Sequence, residues 1–475
     1  MKCAFCHVPL NLLVSGSYKG GTRFKLAHIM INSDLWLPQI QFSISLGFMS
    51  LFLVIELGLA WVLLFFKIRA AQSGQVAWTI AYRFWVRVFA LAFVLTFASS
   101  MPVLIQFGSL WPSLMDKIGE VAGPLLAATI LTTFIFKSCF LGAMLFGQRR
   151  LSERVHTLVV FMVALGATGA AFWMVALQSW MQTPSGVDLI DGQYRVVDWI
   201  AVVFNPSMAW YGGLLVLTSA LTIAFLMLGV TARQTFRHPL DESGCLVFKT
   251  GLIIAMVSVL LYGAIGIGAG QMMAKYQPAK AAATAAYWHS GVQPGIVLFG
   301  WPDAATQKNR GALEWAHAGG RWLGKDDQGR YRGLDQFSRM SPPVALTFWS
   351  FRSVVLVATL MAALSWLTFF KVRKKGFDPG SLSIRWRRAL AGMAFSGWVL
   401  CLGSLVHALY GLYPYAVNGT FTLSEISGKT SPDVLLGGLI AYLVFYGIFL
   451  LGFFQLLKHI ERYGVLPVAR TRGRA

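Results

Sequence analysis

Charged side chains are scarce in this sequence. Asp, Glu, Lys and Arg make up only 12% of its 475 residues, about half the share typical of soluble domains. Hydrophobic residues make up 56%, and the mean hydropathy is +0.62. This balance excludes an ordinary soluble globular protein and predicts a polytopic membrane protein.

Acidic residues are the scarcest charged class. The sequence has 19 Asp and Glu against 40 Lys and Arg, which gives a net charge of +21. Such a basic excess is also found in nucleic-acid-binding proteins. Here, however, the basic residues lie in short loops between apolar segments, as the positive-inside rule describes. We therefore expect membrane lipid, and no nucleic acid, around the chain.

Cysteine is sparse as well, and the scattered positions of its five residues imply no disulfide framework. Cys3, Cys6 and His7 match the CxxCH pattern that attaches c-type haem. A motif at an extreme terminus, with no cytochrome-sized domain around it, is weak evidence, and Met30 is an alternative start that would remove it. The first long apolar run begins near residue 39 and has the length of a spanning helix, so we predict no cleavable signal peptide.

Nine apolar segments are long enough to cross about 30 Å of hydrocarbon. A backbone in lipid must satisfy its own hydrogen bonds, so these segments should be helices. The predicted fold is an all-α polytopic membrane protein with nine transmembrane helices. Their predicted ranges are 39–67, 85–107, 120–147, 154–180, 208–231, 247–269, 344–370, 388–412 and 434–457.

A polar segment, 271–343, separates the sixth and seventh helices, and it is much longer than an ordinary connector. Loops of this length are often functional, although a solvated loop without a site is the plain alternative. The predicted organisation is an extracytoplasmic extension at 1–38, helices one to six at 39–270, the long extracytoplasmic loop at 271–343, helices seven to nine at 344–457, and a basic cytoplasmic tail at 458–475.

The basic residues of the short loops predict the orientation. Most of them fall in loops on one side of the membrane. Examples are Lys67, Arg149, Arg233 and Lys371. Because Lys and Arg accumulate on the cytoplasmic side, we expect the C-terminus in the cytoplasm. The N-terminus and the long loop are then outside.

Two ionisable residues fall deep within predicted spans, where burial is costly and function is a common reason. Glu56 and Lys137 each lie about three turns from the cytoplasmic ends of helices one and three, hence at similar depth. We expect them to form a buried ion pair. The pair would serve either as part of a proton path or simply to neutralise two charges in the membrane.

Three further polar residues are expected near the outer face. Arg352 lies early in helix seven, His407 late in helix eight, and Lys280 in the long loop. They could converge on a pocket for an anionic or hydrogen-bonding ligand. Alternatively, Arg352 and His407 extend to the membrane interface without forming a site.

From the second helix onward the sequence carries short motifs in a fixed order. They are Arg83-Phe84-Trp85, Gln106-Phe107-Gly108-Ser109-Leu110-Trp111, Trp180-Met181-Gln182-Thr183-Pro184, Asn205-Pro206, Gln293-Pro294, Phe299-Gly300-Trp301-Pro302-Asp303, the set Phe348, Phe351 and Arg352, and Tyr410-Gly411-Leu412-Tyr413-Pro414-Tyr415. Together they resemble subunit I of the cytochrome bd-type quinol oxidases, whose motifs include GWMQNP, FxFR and YGRQPW. The resemblance covers about residues 39 to 460.

The resemblance implies a subunit of a bacterial inner-membrane respiratory oxidase. Such a subunit oxidises quinol at the outer face, reduces oxygen, carries haem b and haem d, and docks against a subunit II. Lys280 matches a lysine of the family's quinol loop, whereas the acidic partner in that loop falls on Ala285.

The haem ligands that the resemblance implies are largely missing. Haem-binding histidines of the family fall on Met49 and Leu214, and a methionine ligand falls on Val354. Its acidic residues fall near Thr129, on Lys137, and on Ala408 or Leu409. Leu, Val and Ala offer no lone pair to iron, so haem b and haem d are expected to be absent or reduced in this chain.

Three functions remain open. The first is a haem-poor or haem-free subunit I-like component of a bd-type ubiquinol oxidase complex, structural or assembly-related and not catalytic by itself, docked on a subunit II-like protein or a complete subunit I paralogue. The second is a redox-active quinol oxidoreductase with rearranged ligation through Met49, His407 or the terminal CxxCH. The third is a transport or channel-like protein in which Glu56 and Lys137 mark a polar path.

Overall fold

The computed structural model describes residues 33–463 apart from 292–293, 338–339 and 429. Within this part of the chain, nine helices are long and apolar enough to cross a membrane, and they are called spans one to nine below. In order they are Trp36–Ser73, Val76–Leu110, Pro112–Phe146, Glu153–Gln182, Met208–Gln234, Glu242–Tyr276, Val344–Val372, Ile384–Tyr410 and Pro432–Arg462. The predicted all-α membrane fold with nine spanning helices is confirmed.

The spanning helices extend beyond the apolar residues that predicted them. Span one lies in helix Ser33–Ser73 and span nine in helix Pro432–Tyr463. Span six begins at Glu242, where the Asp241 side chain caps the helix by accepting a 2.9 Å hydrogen bond from Gly244 N. Polar end turns of this kind extend a helix but do not raise its hydropathy. Most of the predicted spans are therefore shorter than the helices in the structure.

Two spans are irregular. Span three joins helix Pro112–Thr132 to helix Cys139–Phe146 through a π-helical turn, Thr133–Ser138. A π-helical turn widens the backbone ring locally and is frequent at functional sites. Span eight consists of helices Ile384–Gly392 and Ser396–Tyr410 with a short turn between them.

Span one is the centre of the bundle. It contacts spans two, four, five, eight and nine, and 78% of its most apolar window is buried. Gly58 permits the close approach of span five, because a Cβ there would lie 2.6 Å from the Ser219 carbonyl oxygen. Spans three and nine are peripheral, since only 11% of the corresponding windows is buried.

Short elements cover the end of the bundle at which spans four, six and eight finish, called the loop end below. Among the described residues, three antiparallel hairpins lie there, each made of two strands. They are β1 (Val187–Ile190) with β2 (Gln193–Val196), β3 (Ile296–Asp303) with β4 (Lys308–Trp315), and β5 (Tyr415–Val417) with β6 (Phe421–Thr422). Short α-helices at this end are Trp199–Val203, Pro278–Ala285 and Leu423–Ile426.

The described part of segment 271–343 is folded against the bundle. Span six continues to Tyr276, and the helix Pro278–Ala285, called the loop helix below, follows directly. The hairpin of β3 and β4 comes next, with Ile296 paired to Trp315 and Asp303 to Lys308. Two 3-10 turns, Gly319–Trp322 and Leu334–Phe337, complete the segment.

Several expectations concern residues outside the described part of the chain. Cys3, Cys6, His7 and the alternative start Met30 precede it, and most of the basic tail follows it. Gln293 of the Gln-Pro motif also lies in a gap.

Candidate functional site

The loop helix carries two polar side chains into the apolar interior. It starts with Pro278 at the first helical position and ends where Ala286 adopts a left-handed φ of 50°. Lys280 and Thr284 are four residues apart and therefore share one face. Both are buried, with 2% and 4% of their surface exposed.

The Lys280 ammonium group lies in a network of neutral hydrogen-bonding groups. Its Nζ donates to Gln182 Oε1 and to the Tyr211 hydroxyl oxygen, each at 3.2 Å. Gln277 Nε2 donates to the same Gln182 oxygen at 2.8 Å. No carboxylate forms an ion pair with Lys280 among the described residues. Burial without a counter-ion lowers the pKa of Lys280 to about 7, because desolvation disfavours the charged form.

Thr284 joins Arg352 to His407. The Thr284 carbonyl oxygen accepts from Arg352 Nη1 at 2.5 Å, and its hydroxyl lies 2.8 Å from His407 Nε2. Arg352 Nη2 donates to the Val297 carbonyl oxygen at 2.6 Å. The guanidinium carbon also lies 4.0 Å from the centre of the Phe348 ring, a distance suited to a cation–π contact. The three residues that sequence analysis assigned to a common pocket therefore meet around the loop helix.

A cavity of about 660 Å³ opens beside these groups. Its wall includes Arg352 and His407, and it also includes Met49, Leu214 and Val354 from spans one, five and seven. These last three are positions to which the family resemblance assigns haem ligands, and they converge although they are far apart in sequence. Of the two alternatives for the span-eight acid, Ala408 lies on the wall and Leu409 does not.

The cavity wall holds few atoms that could bind a metal. Its imidazole and thiol donors are His407 and Cys401, and its other sulfur donors are the thioethers of Met49, Met174, Met272 and Met273. Cys401 Sγ donates to the Ser50 carbonyl oxygen at 3.7 Å, and His407 Nε2 is hydrogen-bonded to Thr284. No group of three or more His, Cys, Asp or Glu with metal-binding geometry exists among the described residues.

Glu56 and Lys137 meet in the interior of the bundle. Lys137 Nζ lies 2.7 Å from Glu56 Oε1, and the side chains are 6% and 0% exposed. Lys137 belongs to the π-helical turn of span three, and its Nζ also lies 5.3 Å from the centre of the Phe93 ring. Gly166 of span four lets the turn pack closely, because a Cβ there would lie 2.6 Å from Phe136 Cβ. The two residues that were expected to pair because of their equal depth are thus in contact in the structure.

Three members of the site were missed by sequence analysis. Gln182 stood within the Trp-Met-Gln-Thr-Pro motif, so its place there was a usable signal. Tyr211 and Thr284 carry no signal of their own, since one is an aromatic in an apolar helix and the other a Thr in an alanine-rich run. Their roles depend on contacts with residues distant in the chain.

Comparison with known proteins agrees with this arrangement. A family model described as cytochrome bd terminal oxidase subunit I matches residues 37–465. The chain belongs to this family. Cytochrome bd ubiquinol oxidase subunit 1 of Bacillus subtilis (strain 168) is 28% identical over 441 residues, which cover 88% of this chain and 90% of that protein. A solved structure of bd oxidase from Geobacillus thermodenitrificans superposes with a TM-score of 0.82 at 18% identity, covering 90% of this chain and 98% of the other.

Family membership confirms the resemblance that the motifs indicated. The chain is a membrane-spanning component of the bd-oxidase type, and the family is one of subunits that work within multi-subunit complexes of the bacterial inner membrane. The likeness to the solved structure establishes that the two chains share a fold.

Proposed function

We propose that this chain is a haem-poor or haem-free subunit I-like component of a cytochrome bd-type ubiquinol oxidase complex, with a structural or assembly role. The observation that carries the proposal is the cavity wall at Leu214 and Val354. Both side chains are saturated hydrocarbons, so neither supplies a lone pair to iron. Met49 remains as one thioether where the resemblance implies a histidine.

The residues present do not fit the haem groups that the family implies. The remaining nitrogen and thiol donors of the wall, on His407 and Cys401, are already hydrogen-bonded within the protein. The methionines of the wall, Met49, Met174, Met272 and Met273, would offer a haem only weak thioether ligands. Electron transfer through a haem is therefore not assigned to this chain.

The loop-end network also differs from a site built to oxidise quinol. Lys280 is present, but the position of the family's acidic partner is Ala285, which lies on the cavity wall. Without that carboxylate, the network around Lys280 lacks an acidic proton acceptor. This difference supports a chain that is not catalytic by itself. The distribution of basic loop residues supports a location in the inner membrane with the loop end outside.

Docking partners would bind to the peripheral spans. Spans three and nine leave most of their apolar surface uncovered within the chain. We propose that a subunit II-like membrane protein, or a complete subunit I paralogue, covers part of this surface and supplies the missing redox centres.

The proposal is tested by purifying the complex through a tag on this chain and, separately, the chain alone. We expect a second membrane protein in fixed ratio in the complex, and ubiquinol-1-dependent oxygen consumption only when it is present. Oxygen consumption by the chain alone would contradict the proposal.

A second candidate is a redox-active oxidoreductase with rearranged ligation. The observation in its favour is that Met49, Cys401 and His407 line the same cavity. This alternative predicts a protein-bound Soret band that is lost in Met49→Leu and in His407→Ala. A haem-free chain would show no such band in any variant.

A further inference from the structure

The cavity opens sideways, between spans six and seven. Gly263, Gly266 and Ile267 of span six line it on one side, and Val355 and Thr359 of span seven on the other. All five are partly or fully exposed and lie within membrane spans, so the gap between them is expected to face lipid. A molecule could therefore enter from the bilayer without crossing the water-filled side of the protein.

The volume and lining of the cavity suit an amphipathic ligand. About 660 Å³ lies within the range of roughly 300–1,000 Å³ found for small-molecule sites. Most of the wall is apolar, and among its polar residues Arg352, His407 and Tyr211 contact the loop helix, to which Thr284 belongs. One end of the cavity can thus accept a polar head, while the remainder surrounds hydrocarbon.

The polar end carries positive charge without a carboxylate to balance it. Arg352 is the charged residue of the wall, and no Asp or Glu lines the cavity in the described part of the chain. Arg352 is half-buried, charges removed from water are normally paired, and an arginine cannot escape its charge by losing a proton. Glu314 of β4 is an acidic residue beside the opening, where it packs over Gly295 and is solvent-exposed. It forms no ion pair with Arg352.

Arg352 also keeps donors available. A guanidinium group has five N–H donors, and Arg352 uses one from Nη1 and one from Nη2 on the Thr284 and Val297 carbonyl oxygens. These two bonds fix the plane of the group against the loop helix and β3. The remaining donors can bind an acceptor, and a carboxylate or phosphate would also balance the charge.

We propose that this cavity binds an anionic amphiphile from the bilayer, with a carboxylate or phosphate head at Arg352 and its hydrocarbon chain in the space lined by Met49, Leu214 and Val354. The inference rests on the proposed function, since the same space cannot hold both a haem and a lipid. A fatty acid and an anionic phospholipid share the required chemistry.

The test exposes the complex, purified by a tag on this chain, to photoreactive lipids. The probes are diazirine-bearing palmitic acid, phosphatidylglycerol and phosphatidylcholine, each offered in nanodiscs of otherwise unlabelled phosphatidylcholine. Labelled peptides are identified by mass spectrometry, and haem is quantified in the same samples. We expect palmitic acid or phosphatidylglycerol to label the span-six and span-seven peptides around Gly266 and Val355, and the more strongly labelling probe identifies the source.

Two variants examine the head and the opening separately. Arg352→Gln should reduce labelling by about tenfold, as expected for a lost charge-assisted bond, while Arg352→Lys retains much of it. Gly266→Leu should abolish labelling altogether, because a leucine side chain at this open position would occupy the cavity mouth. Gly108→Leu is the matched control, since Gly108 is equally open but lies in span two away from the cavity. If Arg352→Gln does not fold, the comparison of Gly266→Leu with Gly108→Leu decides.

The outcomes separate the two proposals. Equal labelling by phosphatidylcholine, or labelling unchanged in Gly266→Leu, overturns the anionic-lipid site. Absence of cavity labels in a haem-free chain also overturns it and leaves the proposed function intact. Stoichiometric haem in this chain overturns the proposed function together with the lipid site.

Discussion

Lys137 Nζ lies 2.7 Å from Glu56 Oε1, at a place where neither side chain has appreciable contact with solvent. The two charges come from spans one and three, and the π-helical turn Thr133–Ser138 carries the ammonium group. Each charge makes the burial of the other tolerable, because an unpaired charge in the interior is far more costly than a pair.

Removing one member of this pair should destabilise the protein. We expect Lys137→Met to cost about 3–5 kcal/mol of unfolding free energy, because Glu56 is left buried and unpaired. The double variant with Glu56→Gln should recover most of the loss. Denaturant titration in mild detergent measures the cycle, and additive losses would mean that the two groups are not coupled. Arg195→Met, which breaks the exposed pair with Glu120, is the control and should cost less than about 1 kcal/mol.

The close packing of span four on the π-helical turn predicts a second effect. Gly166→Ala should destabilise the fold by about 1–3 kcal/mol, because the new methyl group would overlap Phe136 and the Lys137 backbone nitrogen. Gly142→Ala is the matched control in span three, where a Cβ meets nothing within 4 Å. Thermal unfolding of the two variants in the same detergent compares them. Equal midpoints would show that the contact is not tight.

Burial of Lys280 predicts a particular pH dependence. Its pKa of about 7 in the folded protein lies below the value of about 10.4 for a free lysine. Between these two values the unfolded chain binds one more proton than the folded protein, so this group makes stability rise with pH. Below about pH 7 both states are protonated, and its contribution is constant.

Lys280→Met should therefore stabilise the protein most near pH 7 and below. The advantage should shrink toward pH 10, by at most about 1.4 kcal/mol per pH unit. Unfolding midpoints of wild type and Lys280→Met at pH 7, 8 and 9 measure this change in stability. Lys275→Met is the control, because Lys275 is solvent-exposed. A difference between wild type and Lys280→Met that does not change with pH would refute a depressed pKa.

If the loss of haem ligands prevents haem binding, replacing those ligands in the cavity wall should restore it. We expect the double variant Leu214→His with Val354→Met to gain a haem b Soret band, because both positions line one cavity and the new side chains supply lone pairs. Val354→Met alone should not show the band. Failure of the double variant, if it folds like wild type, would mean that more than these two side chains prevents binding.

The sequence predicted the parts of this structure that depend on hydropathy. Nine spans follow from the length of apolar runs, and the Glu56–Lys137 contact follows from the equal depth of the two residues in their spans. The π-helical turn at Thr133–Ser138 was not predicted, since its sequence has no feature that distinguishes it from the rest of the apolar run. The turn arises where span four packs against it, and that contact is long-range.

The loop-end site was only partly predictable for the same reason. Arg352 and His407 stood out because they are ionisable residues within spans. The burial of Lys280 could not be read from its alanine-rich surroundings, because its partners Gln182 and Tyr211 lie in spans four and five. The convergence of Met49, Leu214 and Val354 on one cavity likewise requires the packed bundle.

We propose that this chain has lost the haems of its family, and a chain-resolved haem measurement tests this proposal most directly. The purified complex is separated into its subunits under non-denaturing conditions, and the visible spectrum and the haem-to-protein ratio are measured for each. We predict a ratio near zero for this chain and haem on a co-purifying partner. Stoichiometric haem b or haem d on this chain would contradict the account.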